Sequence, residues 1–358
     1  MIEVRHLKLI ETIAEVGSLN KAAKRLNLSP SALSHQLKQL ESHLDLPLFY
    51  RSNNQLLFTP AGKEFQETAA TILQQIDGLE ERIDDIRQSQ LEKYIHGYSQ
   101  QEATRLYDQA TSIADFLHWD TNWEAGSTIL EAGCGVGAQT QIIAAQNPDC
   151  TFVSVDISKK SITAAERNIA AAELTNVRFA EADLRQLPYA ANTFDHVFVC
   201  FVLEHLREPL QILKELRRVL KTGGTITVIE GDHGSTYFHP DSLVAQKAVQ
   251  AQVDLQRQNG GNANIGRELY PLLQQADFQL INVSPRQIYV DDSKPALVDG
   301  FINKTFTAMI AGVAEDAVAK KLIGDEAMQN GIRDLHRTAQ GGGTFCYTFF
   351  KAKATKEK

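Results

Sequence analysis

The spacing of apolar residues divides the chain into three regimes. Val4, Leu7, Leu9, Ile10, Ile13, Ala14 and Val16 form a helical stripe that stops at Gly17. Ser18 suits the N-cap of a second, short helix holding Ala22, Ala23 and Leu26. Ser29-Pro30 opens a third helix, with Leu33, Leu37, Leu40 and Leu44 facing inward. Residues 48–60 predict a β-hairpin with a polar turn. From Phe65 the pattern changes. Phe65, Ala69, Ile72, Ile76, Leu79, Ile83 and Ile86 recur in alternating steps of four and three, a heptad seam. Residues 91–127 predict a further helix with Ala103, Leu106, Ala110, Ile113, Ala114 and Leu117 on one face. After residue 127 short apolar runs alternate with helical stretches. Strands are predicted to begin near Thr128, Thr151, Val177, His196 and Thr225. This alternation implies a doubly wound parallel sheet, with its ligand at the carboxyl ends of the strands.

Composition adds bounds. At 358 residues the chain is long enough for two or three domains. The net charge of −8 is uneven. Residues 1–60 are net +2, residues 61–90 net −4 and the remainder net −6. A polyanion partner is therefore expected only at the N-terminal segment. The longest purely apolar run, Val197 to Leu203, is too short for a membrane span, and charged Glu3, Arg5 and Lys8 argue against a signal peptide. The four cysteines are scattered in apolar surroundings. Free thiols in a cytoplasmic setting are the expectation.

A short helix, a turn and a longer helix make a helix-turn-helix pattern. Ser31, Ser34, His35 and Lys38 occupy the polar face of the third helix, with side chains suited to base edges and phosphates, and Arg51 sits in the hairpin. A plain three-helix bundle with a solvated face is the alternative. The blocks Gly17-Ser-Leu-Asn-Lys-Ala-Ala23, Ser29-Pro-Ser-Ala-Leu-Ser-His-Gln-Leu37, Leu48-Phe-Tyr-Arg51 and Phe58-Thr-Pro-Ala-Gly62 resemble the winged helix-turn-helix of LysR-type transcription regulators. That resemblance implies that Ser31, Ser34, His35, Lys38 and Arg51 contact double-stranded DNA. It also implies that the heptad helix pairs with its copy in a homodimer. A single helix packed on its own domain is the other reading of the heptad. The resemblance stops short of the two-lobed effector domain of LysR-type proteins.

In its place the chain carries Glu131-Ala-Gly-Cys-Gly-Val-Gly137, a strand end breaking into alternate glycines, then Asp156 at the end of the next strand. A glycine turn with an acid at the second strand is a nucleoside-binding device, and the loop alone also fits a dinucleotide site. With Ala182-Asp183-Leu184, Phe194-Asp195 and Leu220-Lys-Thr-Gly-Gly224, these blocks resemble class I S-adenosylmethionine-dependent methyltransferases of the type 11 group. The resemblance implies a seven-stranded Rossmann-like sheet whose last strand, around Phe345–Phe350, is antiparallel. It implies S-adenosyl-L-methionine as cofactor. Gly133, Gly135 and Gly137 would approach its amino-acid moiety, Glu131 would lie near the ammonium, and Asp156 would hold the ribose. Asp183 and Leu184 would meet the adenine, with Tyr98 and Arg105 closing over the cofactor. The expected architecture is thus multidomain: a winged helix-turn-helix over 1–60, a linker coiled-coil helix over 61–90, and an α/β methyltransferase domain over 91–358.

Methyl transfer needs alignment, and a base only where the nucleophile is protonated. Glu204, His205 and His233 are the candidate bases. The stretch Glu230–His239 is expected to leave the fifth strand and border the pocket of a small-molecule methyl acceptor. Asp232, His233 and His239 also read as metal ligands, with nothing else in the chain to support a metal. The DNA-base methyltransferase block Asn/Asp-Pro-Pro-aromatic is replaced by Cys200-Phe-Val-Leu203, so DNA is not the expected methyl acceptor.

Overall fold

The computed structural model describes residues 2–26, 28–52, 55–91, 110 and 112–357. It falls into two compact units, Met1–Gln90 and Leu91–Lys358.

In the first unit, α1 (Val4–Val16), α2 (Leu19–Arg25) and α3 (Pro30–Leu44) precede a hairpin of β1 (Phe49–Ser52) and β2 (Gln55–Phe58). Leu9, Ile10, Ile13, Ala22, Ala23, Leu33, Leu37 and Leu40 form the core. Val4, predicted on the inward stripe, is exposed at the first position of its helix. Gly17 caps α1 in the left-handed region at φ 65°, where a Cβ would be strained. Ser29 caps α3 by accepting from the Ala32 N–H at 3.1 Å. Glu41 Oε1 accepts from the Leu48 N–H at 2.8 Å, tying the hairpin to α3. The long helix α4 (Pro60–Leu91) carries the heptad, with Ala69 buried but Ile72 and Leu79 exposed.

The second unit opens with a helix over residues 112–118, here α5, preceded by buried Ala110 and contributing Ile113 and Leu117 to the core. Then come β3 (Thr128–Ala132), α6 (Ala138–Gln146), β4 (Thr151–Asp156), α7 (Lys159–Ala171), β5 (Val177–Glu181) and β6 (Phe194–Cys200). After α8 (Pro209–Val219) runs β7 (Leu220–His239), then α9 (Leu243–Gln258), α10 (Leu269–Gln275) and β8 (Gln279–Val290). The next segments are helical: α11 (Pro295–Leu297), a π-helical stretch Val298–Thr307, α12 (Ala308–Gly312), α13 (Ala314–Ala319) and α14 (Asp325–Arg337). Strand β9 (Thr344–Thr355) closes the chain.

The sheet order is β5-β4-β3-β6-β7-β9-β8, parallel except for β9, which runs antiparallel to both its neighbours. The antiparallel strand is the one expected at Phe345–Phe350. Two boundaries differ from expectation. Strand β6 ends at Cys200, and Leu203–His205 turns into a 3-10 helix. Strand β7 does not end near Ile229: ladder bonding to β9 carries it through Glu230–His239, with an irregularity between Asp232 and Tyr237. The apolar layers on the two faces of the sheet include Phe152, Phe198 and Phe349 on one side and Val155, Val197 and Leu213 on the other.

A buried ionic knot joins α5 to the far strands. Lys351 Nζ donates to Asp120 Oδ1 (2.6 Å), Thr121 Oγ1 (2.6 Å) and the Leu117 carbonyl (3.3 Å). Arg286 donates to the same Asp120 carboxylate and to the Phe116 and Leu117 carbonyls. One acid thus serves two nearly buried cations.

Candidate cofactor and acceptor site

The turn after β3 is built by backbone. The Val155 carbonyl accepts from the Gly133 N–H (2.8 Å) and the Cys134 N–H (3.0 Å), and the Cys134 carbonyl accepts from Gly137 (3.0 Å). Gly133, Gly135 and Gly137 all have positive φ: 77°, 52° and 81°. Their surroundings differ. A Cβ on Gly133 would lie 2.6 Å from a Val202 methyl, and one on Gly137 would lie 3.0 Å from the Ala165 Cβ of α7. A Cβ on Gly135 would meet nothing within 4 Å. Gly137 also caps α6 and supplies no capping side chain. That leaves the positive end of the helix to an incoming carboxylate.

Asp156 holds this turn from the next strand. Its Oδ2 accepts from the Gly135 N–H and its Oδ1 from the Ser158 N–H, both at 2.9 Å. Burial pushes its carboxyl above the usual range, against those backbone donors. A carboxylate has about four acceptor positions, so the backbone donors do not exhaust it. Glu131 is sealed below the turn, where its Oε2 accepts from Ser154 Oγ (2.6 Å) and Thr140 Oγ1 (2.7 Å). Burial raises its carboxyl to about 7. Asp183 is grasped by its neighbour: Arg185 donates through Nε to both oxygens (3.0 Å each) and through Nη2 at 2.7 Å. Desolvation works to raise the Asp183 carboxyl, yet the Arg185 contacts hold it below its ordinary value. Leu184 packs on the adjoining apolar layer. Tyr98 and Arg105 lie outside the described residues.

The candidate bases converge at the ends of β6 and β7, each with protein partners. Glu204 Oε2 accepts from Gln256 Nε2 (3.2 Å), and His205 Nε2 stands 3.7 Å from Glu204 Oε1. His233 is buried, with Nδ1 2.9 Å from the Ala263 carbonyl and 3.1 Å from Tyr347 Oη, and Nε2 3.3 Å from Met309 Sδ. A carbonyl only accepts, so Nδ1 donates to it. Asp232 is tied to Arg267 Nε at 2.9 Å, while His239 is exposed. Among the described residues, no group of three or more His, Cys, Asp or Glu could hold a metal ion.

Sequence reasoning missed Glu230 as a strand residue, together with Gln252 and Gln256 of α9. The two glutamines are four apart within an otherwise apolar buried face of α9, and that misplaced polarity was the available signal.

In the first unit Ser31, His35 and Lys38 are exposed on α3 and Ser34 is half-buried. Ser31 Oγ lies 3.0 Å from the capping Ser29 Oγ. Arg51 lies on β1 opposite Leu56.

A seven-stranded sheet with one antiparallel strand, three positive-φ glycines at its first βα turn and an acid on the adjacent strand define a Rossmann-like methyltransferase fold. Comparison with known proteins agrees. Residues 130–228 match the family model "Methyltransferase domain", and residues 4–63 match "Bacterial regulatory helix-turn-helix protein, lysR family". The chain is thus similar to LysR-type helix-turn-helix proteins over its first segment and to S-adenosylmethionine-dependent methyltransferases over the glycine turn and the strands that follow it.

Among its relatives, an uncharacterized 37.1 kDa protein of transposon TN4556 from Streptomyces fradiae is 28% identical over 303 residues, 82% of this chain and 84% of that one. Demethylmenaquinone methyltransferase of Shouchella clausii is 29% identical over 158 residues, 42% of this chain and 63% of the enzyme. The transcriptional regulator MetR of Haemophilus influenzae is 44% identical over 75 residues, 21% of this chain and 24% of the regulator. The chain therefore spans less than two thirds of either of the latter two.

Proposed function

We propose that the second unit transfers a methyl group from S-adenosylmethionine to a small molecule, and that the first unit binds double-stranded DNA as a homodimer. The chain would then be both enzyme and regulator. The observation that carries the enzymatic half is the space beside Gly135, bordered by the Asp156 carboxylate and the uncapped α6. In this reading Asp156 accepts from the ribose hydroxyls and α6 faces the methionyl carboxylate. The three glycines let backbone approach where Cβ atoms would intrude. The bound cofactor supplies an electrophilic methyl; the protein aligns the acceptor and keeps water out. DNA recognition draws on Ser31, Ser34, His35, Lys38 and Arg51, and the exposed Ile72 and Leu79 of the heptad seam favour a paired helix.

A second reading has the same domain sense S-adenosylmethionine or a related metabolite without turnover. It is favoured by the engagement of Glu204 and His233 in the protein's own hydrogen bonds. Calorimetry with S-adenosylmethionine and S-adenosylhomocysteine, followed by transfer of labelled methyl to fractionated metabolites, separates the two. Tight cofactor binding with a labelled small-molecule product supports the enzyme. Tight binding with no labelled product from any fraction supports the sensor, and no binding sinks both.

A further inference from the structure

The buried cluster at the ends of β6 and β7 has more hydrogen-bond acceptors than donors. Glu230 is fully buried. Its Oε1 accepts from the N–H groups of Val202 (3.0 Å) and Leu203 (2.7 Å). Its Oε2 is shut off from solvent and meets no hydrogen-bonding partner among the described residues. Glu204, also buried, exerts the strongest charge effect on it.

Helix α9 covers this pair with two buried glutamines whose orientation is forced. The Glu204 carbonyl can only accept, so Gln256 must turn Nε2 toward it, at 2.9 Å. Gln256 Oε1 then accepts from Gln252 Nε2, at 2.9 Å. This leaves Gln252 Oε1, on a residue with no exposed surface, buried without a donor. Glu230 Oε2 and Gln252 Oε1 are therefore both unmatched acceptors. Buried acceptors are ordinarily matched. The cluster also adjoins the glycine turn, because the Val202 that donates to Glu230 is the residue that crowds Gly133.

We propose that this cluster is the acceptor subsite and that it takes a primary or secondary amine, bound as its ammonium by Glu230 Oε2, Glu204 and Gln252 Oε1; before transfer the ammonium gives one proton to the Glu204 carboxylate, and the nitrogen lone pair so freed takes the methyl as the carbon–sulfur bond of the cofactor breaks. The proposal rests on the reading of the second unit as a methyltransferase. An ammonium brings two or three donors and no acceptor, which is what the cluster lacks. An alcohol or thiol brings one donor and adds an acceptor.

Amine binding is linked to proton release. Burial, then the charge of Glu204, push the empty Glu230 carboxyl well above its ordinary range. Cys200 on β6 and Tyr347 on β9 also feel its charge, Asp232 and His233 lie further along its own strand, and α9 presents only neutral amides. An ammonium beside Glu230 and Glu204 would oppose that shift, so amine binding favours the ionised carboxyls.

The test uses the full chain saturated with S-adenosylhomocysteine and two matched probe pairs: ethanolamine against ethylene glycol, and benzylamine against benzyl alcohol. Ligand-observed NMR ranks affinities, and calorimetry in buffers of different ionisation enthalpy counts protons. The expected result is at least a tenfold preference for the amine of a pair, with net proton release on amine binding. Both fall in Glu230→Gln, and the preference falls in Gln252→Met, which keeps the proposal testable should the first variant not fold. Amine and hydroxyl probes binding alike, no binding of any probe, or a preference that survives both variants overturns it. S-Adenosylhomocysteine affinity is read on the same samples. If it is retained without an amine preference, only this inference fails. If it is absent, the methyltransferase reading fails.

Discussion

Gly135→Ala places a methyl group where the protein itself leaves space. The residue sits at φ 52°, and a Cβ there would touch no protein atom within 4 Å. The folding cost is therefore the left-handed backbone alone, about 1–2 kcal/mol. In a unit of this size each kcal/mol lowers Tm by about 2–4 °C. Gly137→Ala carries a similar backbone cost at φ 81° and also drives a Cβ to 3.0 Å from Ala165 Cβ and 3.2 Å from its Cα. Overpacking of that kind adds about 1–3 kcal/mol. The two variants should separate stability from binding. Calorimetric scans should show Gly137→Ala melting several degrees below Gly135→Ala. Isothermal titration with S-adenosylhomocysteine, run well below either transition, should show Gly135→Ala weakened at least tenfold, about 1.4 kcal/mol. A Gly135→Ala protein that binds the nucleoside as well as wild type would refute the reasoning, because the space beside Gly135 would then not be the cofactor's.

Glu131→Gln tests the sealed carboxyl. A folded pKa raised from 4.5 to about 7 means that the folded state holds the proton longer, so ionisation subtracts stability as pH rises from about 4.5 to about 7. The loss amounts to about 3 kcal/mol; the variant should flatten that part of the stability–pH curve, and an unchanged slope would contradict the assignment. Asp120→Asn removes the anion that the described residues place in the Lys351–Arg286 knot, for an expected loss of about 3 kcal/mol in chemical denaturation; a loss below about 0.5 kcal/mol would show the knot to be ornamental. Ser34→Ala with Lys38→Ala should abolish salt-dependent operator binding in a mobility-shift assay while leaving circular dichroism intact, and unchanged affinity would confine the first unit to dimerisation. Gly133→Ala should destabilise less in a Val202→Ala background, since the 2.6 Å contact is then gone; strict additivity in that double-mutant cycle would count against Val202 as the wall of the turn.

The parts of the fold that the sequence revealed were those in which one physical signal acts alone. The third helix was legible because its cap, its proline and its leucine spacing agree, and Ser29 caps it as expected. Strand β3 and the glycine turn were legible because nothing but glycine tolerates three positive φ values in five residues. The end of β7 was not. Glu230, Gly231 and Asp232 look like loop chemistry, yet they continue the ladder because β9 pairs with them from more than a hundred residues away. That partner is invisible to any local pattern. The same long-range pairing explains why Glu230 escaped notice as a site residue. Pairing with Phe350 fixes its backbone, and the amides of Val202 and Leu203 bind one carboxyl oxygen, so the other is left buried beneath α9. Three segments distant in sequence create that environment, and none of them alone carries a motif. Asp183 marks the reverse case. Its position was legible from the block around it, but its bidentate pairing with Arg185, two residues on, was not, because that contact depends on the local backbone path after β5. Residues held in place by their own segment could thus be read from the chain. Residues whose charge state depends on several segments required the fold.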